Sequence, residues 1–236
     1  MLSVEIFQIS EVLVHKMKNN LFVCGGSHAV RLAKAFEKNA DILKIFTVIS
    51  LAKSGQISTD ISLPPKVEKG DLVFIQTFGN ELFKKHISIE KLGKKKTIHL
   101  TKVHPTAPKD FSKIYGVLKK KLEPLDCKKI ILDNIYRHIC CCTKHKNPLI
   151  ITYQRKQNKE LRKFFSSTDR PDVVIDHRKF LGLNVRKLRD SVFYEKVLVD
   201  SVHLKQHFYD TIVGELATYT PFGGRRSGLS EQKTTI

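Results

Sequence analysis

Five short runs of apolar residues set what this chain can fold into. They are residues 21–24 (Leu-Phe-Val-Cys), 45–49 (Ile-Phe-Thr-Val-Ile), 72–76 (Leu-Val-Phe-Ile-Gln), 129–132 (Lys-Ile-Ile-Leu) and 172–175 (Asp-Val-Val-Ile). A strand with one wet face alternates polar and apolar residues, whereas a continuous apolar run is covered on both faces, as in a parallel sheet between two helical layers. Helical patterns separate the runs, at residues 29–36, 111–118 and 206–218. Strand alternating with helix predicts a doubly wound α/β layer fold with a central and mostly parallel sheet of about five strands. The length of 236 residues suits one domain of this kind. We expect that domain over residues 1–220 and a polar, disordered tail over residues 221–236, where Gly223-Gly224-Arg225-Arg226-Ser227-Gly228 follows Pro221.

Hydrophobic residues make up 41% of the chain, enough for a core and too many for wholesale disorder. No apolar run approaches the roughly 18 residues that would span a bilayer. The first residues, Met1 to Ile6, lack a basic segment followed by an apolar one, so no secretory signal is expected. Three of the five cysteines are consecutive, Cys140, Cys141 and Cys142, which is a poor disulfide framework. Their usage points to a reducing, intracellular setting, cytoplasmic or nuclear.

Net charge is +19, and it is unevenly placed. Residues 1–90 hold 11 basic and 9 acidic side chains, residues 91–190 hold 26 and 9, and residues 191–236 hold 5 and 5. A solvated helix face explains any one basic pair. A basic block this long also fits contact with nucleic acid or another polyanion. The candidates for that contact are Lys94, Lys95, Lys96, Lys119, Lys120, Lys121, Arg155, Lys156, Arg162 and Lys163, with Tyr153, Phe164 and Phe165 interleaved.

Four weak motifs carry the chemistry. Cys24-Gly25-Gly26-Ser27-His28 follows the first strand and opens a helix. Ser27 there is either an N-capping residue or a nucleophile beside helix N–H groups that can face an oxyanion. Gly55 lies in a turn after the second strand, and Asn80, after the third, is either a turn residue or an amide donor to an oxyanion. Asp200-Ser201-Val202-His203 precedes the last helix, where the carboxylate could orient an imidazole base. In open α/β sheets, ligands bind outside the carboxyl ends of the strands, where all four motifs would converge.

Their order resembles the SGNH (GDSL-type) hydrolase superfamily over roughly residues 20–218. That resemblance implies a three-layer, flavodoxin-like α/β fold, with Ser27 as nucleophile, Asp200 and His203 as orienter and base, and an oxyanion hole from Ser27, Gly55 and Asn80. It implies a small ester as substrate, an acyl-enzyme, and no metal or organic cofactor. The chain departs from the family pattern at Gly26, usually Asp, at Phe78, usually Gly, and at Glu81, usually Asp. It is also similar to the basic esterase domains of retrotransposon first-frame proteins. Another relative is the SGNH-like domain of Oskar-type germ-plasm proteins, which lacks the catalytic residues and binds RNA. These two support the alternative of a basic RNA- or polyanion-binding module with weak or no catalysis.

Three other readings fit less well. An α/β-hydrolase elbow around Ser27 would need more chain before it. Cys24 as a thiol nucleophile competes with a plain buried strand-end cysteine. Zinc at His138, Cys142 and His145 lacks a partner ligand pair. His28 is expected on the surface or in the pocket wall, and residues 135–137 in a loop at the pocket rim.

Overall fold

The computed structural model describes residues 18–77, 79, 81, 83–92, 95–105, 108–135, 147–166, 173–177, 197–199 and 203–224. Its centre is a sheet of five parallel strands: β1 (Asn19–Gly25), β2 (Phe46–Ser50), β3 (Leu72–Gln76), β6 (Lys128–Leu132) and β7 (Val173–Ile175). They lie in the order β2-β1-β3-β6-β7. The order reverses at β1, which is the doubly wound arrangement expected from the apolar runs. Register is continuous from Leu21 opposite Leu72 to Gly25 opposite Gln76, and all five β3 side chains are buried.

Alternation along β1 sorts two cores. Leu21 and Val23 join one cluster, which holds Leu32 and Phe36 of α1 (Ser27–Phe36), Ile42 of α2 (Ala40–Ile45) and Tyr209, Ile212 and Leu216 of α5 (Gln206–Ala217). Phe22 and Cys24 join the other, with Phe111, Tyr115 and Leu118 of α3 (Pro108–Leu122) and Leu161 and Phe165 of α4 (Asn147–Ser166). Successive strand side chains point to opposite faces, so one strand nucleates both layers.

Several expectations are corrected. A second sheet interrupts the α/β alternation: β4 (Phe83–Leu92) and β5 (Lys95–Pro105) form an antiparallel hairpin paired with itself, with Lys91 opposite Lys96 and an irregularity at His86/Ile87. The polar tail does not begin at Pro221. Thr220–Phe222 forms a 3-10 turn, and the buried Phe222 ring stacks on Phe36 at 5.8 Å and meets Phe74 at 6.4 Å. Phe165 is a core residue, not a surface aromatic, and half-buried Phe164 packs against the same cluster. Ile135, placed in a rim loop by its neighbours, is buried in the α1/α5 core. Tyr153 has no described side chain, and His138, Cys140, Cys141, Cys142 and His145 lie outside the described residues. No described helix is long and apolar enough to cross a membrane.

Candidate active site

The turn from β1 to α1 is built on close backbone contact. Gly25 has φ +136°, and a Cβ there would lie 1.8 Å from the carbonyl oxygen of Gln76, so no side chain fits. The Gly26 N–H donates to that same oxygen at 3.1 Å. Gly26 is the N-cap of α1, with no side-chain capping bond, and Ser27 is the first helical residue. The capping role considered for Ser27 is therefore not the one it plays. Its hydroxyl meets His203 instead, with 2.8 Å between Ser27 Oγ and His203 Nε2. Both residues are half-buried.

His203 is held by its backbone. Leu198 and Leu204 form an antiparallel bridge, Val199 N–H donates to the His203 carbonyl at 2.9 Å, and Lys205 N–H donates to Val197 O at 2.9 Å. This small ladder fixes the loop immediately before α5, at the carboxyl edge of the sheet. The structure brings together two residues 176 positions apart in the geometry a hydroxyl and its general base require.

The loop after β2 is tied to the same turn, since Lys53 N–H donates to Gly25 O at 2.9 Å. Two residues on, Gly55 sits in an exposed turn at φ +80°, with nothing within 4 Å of where a Cβ would be. Asn80 and Asp200 lie outside the described residues, as does Phe78. Glu81, one of the departures from the family pattern, has a role of its own. Its carboxylate accepts from the Ser58 N–H, at the start of the 3-10 turn Ser58–Asp60, and so joins the loops after β2 and β3.

Sequence reasoning missed the groups behind the Ser27–His203 pair. His28 is neither exposed nor a plain pocket wall. It is 1% exposed, its Nδ1 lies 2.7 Å from the Tyr209 hydroxyl, and its ring is centred 5.2 Å from that of His203. No spacing rule signals a bond across 181 residues; the only sequence clue was the position of Tyr209 just inside the last helix. Cys24 faces the α3/α4 core instead, and burial, with a smaller push from Cys127, raises its thiol to about 12. It is no nucleophile at neutral pH.

A second polar cluster lies at the ends of β6 and β7. Buried Asp133 accepts from the His177 backbone N–H at 3.0 Å and lies 2.6 Å from His177 Nδ1. Its other oxygen accepts from Arg162 Nη1 at 2.9 Å, and Asp176 is 3.7 Å from the same guanidinium nitrogen. Asp133, Asp176 and His177 could offer three metal-ligand atoms within 4.8 Å, but Arg162 already supplies the cation that answers the carboxylates. Arg162 thus belongs to a largely buried ion-pair network and not to a free basic surface.

Of the other polyanion candidates, Lys120, Lys121, Lys156 and Lys163 are exposed, and Lys119 and Arg155 are half-buried. Lys121 donates to the Thr59 carbonyl. Lys95 and Lys96 open β5, and Lys94 lies outside the described residues.

The fold is that of a GDSL-like lipase. A structure of such a protein from Bacteroides thetaiotaomicron matches with a TM-score of 0.53 and 14% identity, over 90% of this chain and 95% of that one. A Streptococcus pneumonia protein provisionally assigned as a platelet activating factor matches with a TM-score of 0.53 and 12% identity, over 90% and 89%. No protein-family profile and no curated protein sequence matches the chain.

Proposed function

We propose that the protein is a serine hydrolase of the SGNH type that cleaves a small carboxylic ester through an acyl-enzyme. The observation that carries this reading is the 2.8 Å approach of Ser27 Oγ to His203 Nε2 at the carboxyl edge of a parallel sheet. The likeness in fold to a GDSL-like lipase adds support for an ester as substrate.

In this mechanism His203 Nε2 takes the Ser27 proton as Oγ attacks the ester carbonyl. The oxyanion is met by the N–H groups of Ser27 and Gly55 and by the side-chain amide of Asn80. His203 returns the proton to the leaving alcohol, and water, activated by the same imidazole, hydrolyses the acyl-Ser27. Asp200 orients His203 and stabilises its imidazolium form. Nothing in these steps calls for a metal or organic cofactor. Free Cys24 and Cys127 support an intracellular, reducing setting.

The experiment is hydrolysis of a short-chain p-nitrophenyl ester by the wild type and by Ser27→Ala. Wild-type turnover is expected to fall at least ~10⁴-fold in the variant. An inactive wild type, or a variant as active as it, overturns the reading.

A second activity uses other residues. Helices α3 and α4 pack together on one face of the sheet and carry ten Lys/Arg against two Asp/Glu. The preceding hairpin β4–β5, with its connection, adds seven Lys against one Glu. This concentration supports binding of a nucleic-acid backbone. Membrane insertion needs apolar side chains on the same surface, and Val117 is the one exposed large hydrophobic residue on the described parts of these helices. A fluorescence titration with a 30-nucleotide RNA across salt concentrations tests it. Affinity falling steeply with salt supports phosphate contact, and affinity independent of salt excludes it.

A further inference from the structure

We propose that Tyr209 and His28 form a buried brace that holds the Ser27 nucleophile and the His203 base at reacting distance. The inference rests on the serine-hydrolase reading above and assigns two positioning residues to it. Tyr209 is 0% exposed and sits in the first turn of α5. Its hydroxyl accepts the Leu204 N–H at 3.2 Å, from the residue after His203. The same hydroxyl lies 2.7 Å from Nδ1 of His28, the residue after Ser27. One phenol oxygen therefore ties the segment carrying the base to the helix carrying the nucleophile.

The bonding capacity of a phenol lets one oxygen serve both segments. A tyrosine hydroxyl has one donor and two acceptor positions. Leu204 N–H uses one acceptor position, and the bond to His28 Nδ1 uses either the hydroxyl proton or the second acceptor position, according to the His28 tautomer. Either way the oxygen is shared between the segment of His203 and the helix of Ser27, and the His28 and His203 rings are held 5.2 Å apart.

Burial makes the brace hard to replace. Both residues are shielded from water, so a lost bond is not remade by solvent. The effect should fall on turnover more than on binding. Neither group touches Ser27 Oγ or His203 Nε2 in the bonds described, yet a shift of about 1 Å between nucleophile and base costs about 10²-fold in rate.

The test uses the full chain, a p-nitrophenyl ester and a fluorophosphonate that phosphonylates Ser27 Oγ with loss of fluoride. Tyr209→Phe keeps the ring and removes the hydroxyl. It is expected to lower kcat about 10- to 100-fold, with KM within about twofold, and to slow fluorophosphonate labelling in parallel. His28→Phe should do the same, and the two together should cost no more than either alone, because they remove one linkage. His28→Gln, whose side-chain amide can either donate to the phenol oxygen or accept its proton, should recover part of the rate. Wild-type kcat in Tyr209→Phe overturns the brace, as do losses in the two single variants that multiply in the double. If Tyr209→Phe does not fold, the decision passes to His28→Phe against His28→Gln, and equal rates in those two overturn it. A wild type that neither turns over ester nor labels at Ser27 defeats the hydrolase reading itself, a different result from an active wild type indifferent to Tyr209.

Discussion

The two helical layers of this molecule pack on one sheet but differ sharply in charge. Helices α1, α2 and α5, on the side that carries Ser27 and Tyr209, hold three basic and three acidic residues. Helices α3 and α4, on the other side, hold ten and two. Both layers bury aromatic and aliphatic side chains against the same strands. The asymmetry is therefore not demanded by the fold, since core packing constrains the inward stripe of a helix and leaves the outward one open. One layer surrounds a polar pair on neutral helices, and the other presents a cationic surface.

The sharpest way to break this division is at the imidazole. His203→Ala removes the proposed base on the neutral side and is expected to cost roughly 10⁴- to 10⁶-fold in ester turnover, leaving RNA affinity within about twofold. Steady-state kinetics and an RNA titration on the same preparation check both halves. Loss of RNA binding together with activity would show that the two sides are one site.

Next in size is a test of where the basic layer ends and the interior begins. Asp133 is fully buried and answers Arg162 of α4. Asp133→Ala strips the buried His177 N–H and ring of their carboxylate partner and leaves Arg162 only the more distant Asp176, and is expected to destabilise the protein by about 3 kcal/mol in denaturant unfolding. Lys156→Ala, exposed on the same helix, should change stability by no more than about 0.5 kcal/mol. Equal effects would mean that Arg162 is surface charge after all.

How much of this was legible in the sequence follows from the same contrast. The five parallel strands were readable because burial on both faces leaves continuous apolar runs, and their edges fell within a residue or two of Phe46–Ser50, Lys128–Leu132 and Val173–Ile175. The β4–β5 hairpin was not, because its lysines read as charge before its alternation read as a strand. Phe164 and Phe165 misled for the converse reason. Among lysines and arginines they resemble stacking aromatics, yet Phe165 is one helical turn from Leu161 and shares its core. Ser27 and His203 could be paired from their order along the sheet edge, whereas His28 and Tyr209 could not, since their bond depends on where α1 and α5 pack.

A smaller effect concerns the basic surface itself. Lys120→Glu, Lys156→Glu and Lys159→Glu reverse three exposed charges on α3 and α4. Together they are expected to weaken RNA binding at least ~10-fold and to lower the salt slope by about 2, as three phosphate contacts on a single strand would. Reversing exposed Lys34, Lys38 and Lys44, on or just after α1 and on α2, makes the same change in net charge and should cost little. Equal losses in the two sets would reduce the surface to overall charge.

The smallest effect is expected where sequence offered a rival nucleophile. Cys24 lies three residues before Ser27 but on the other side of the sheet, in the α3/α4 core. Burial pushes its thiol to about 12, because a thiolate there would lose its hydration, and Cys127 adds to the push. The thiol is then neutral at pH 8, so iodoacetamide should label Cys24 only under unfolding conditions, as mass spectrometry would show. Cys24→Ala should leave kcat within about twofold. The pH dependence carries the same sign. The unfolded thiol ionises near 9 and the folded one near 12, so this group favours the folded state below about pH 9 and progressively withdraws that stability up to about pH 12. Rapid alkylation of Cys24 in the native protein at pH 8 would place its thiol within reach of solvent and undo the separation of the two faces at β1.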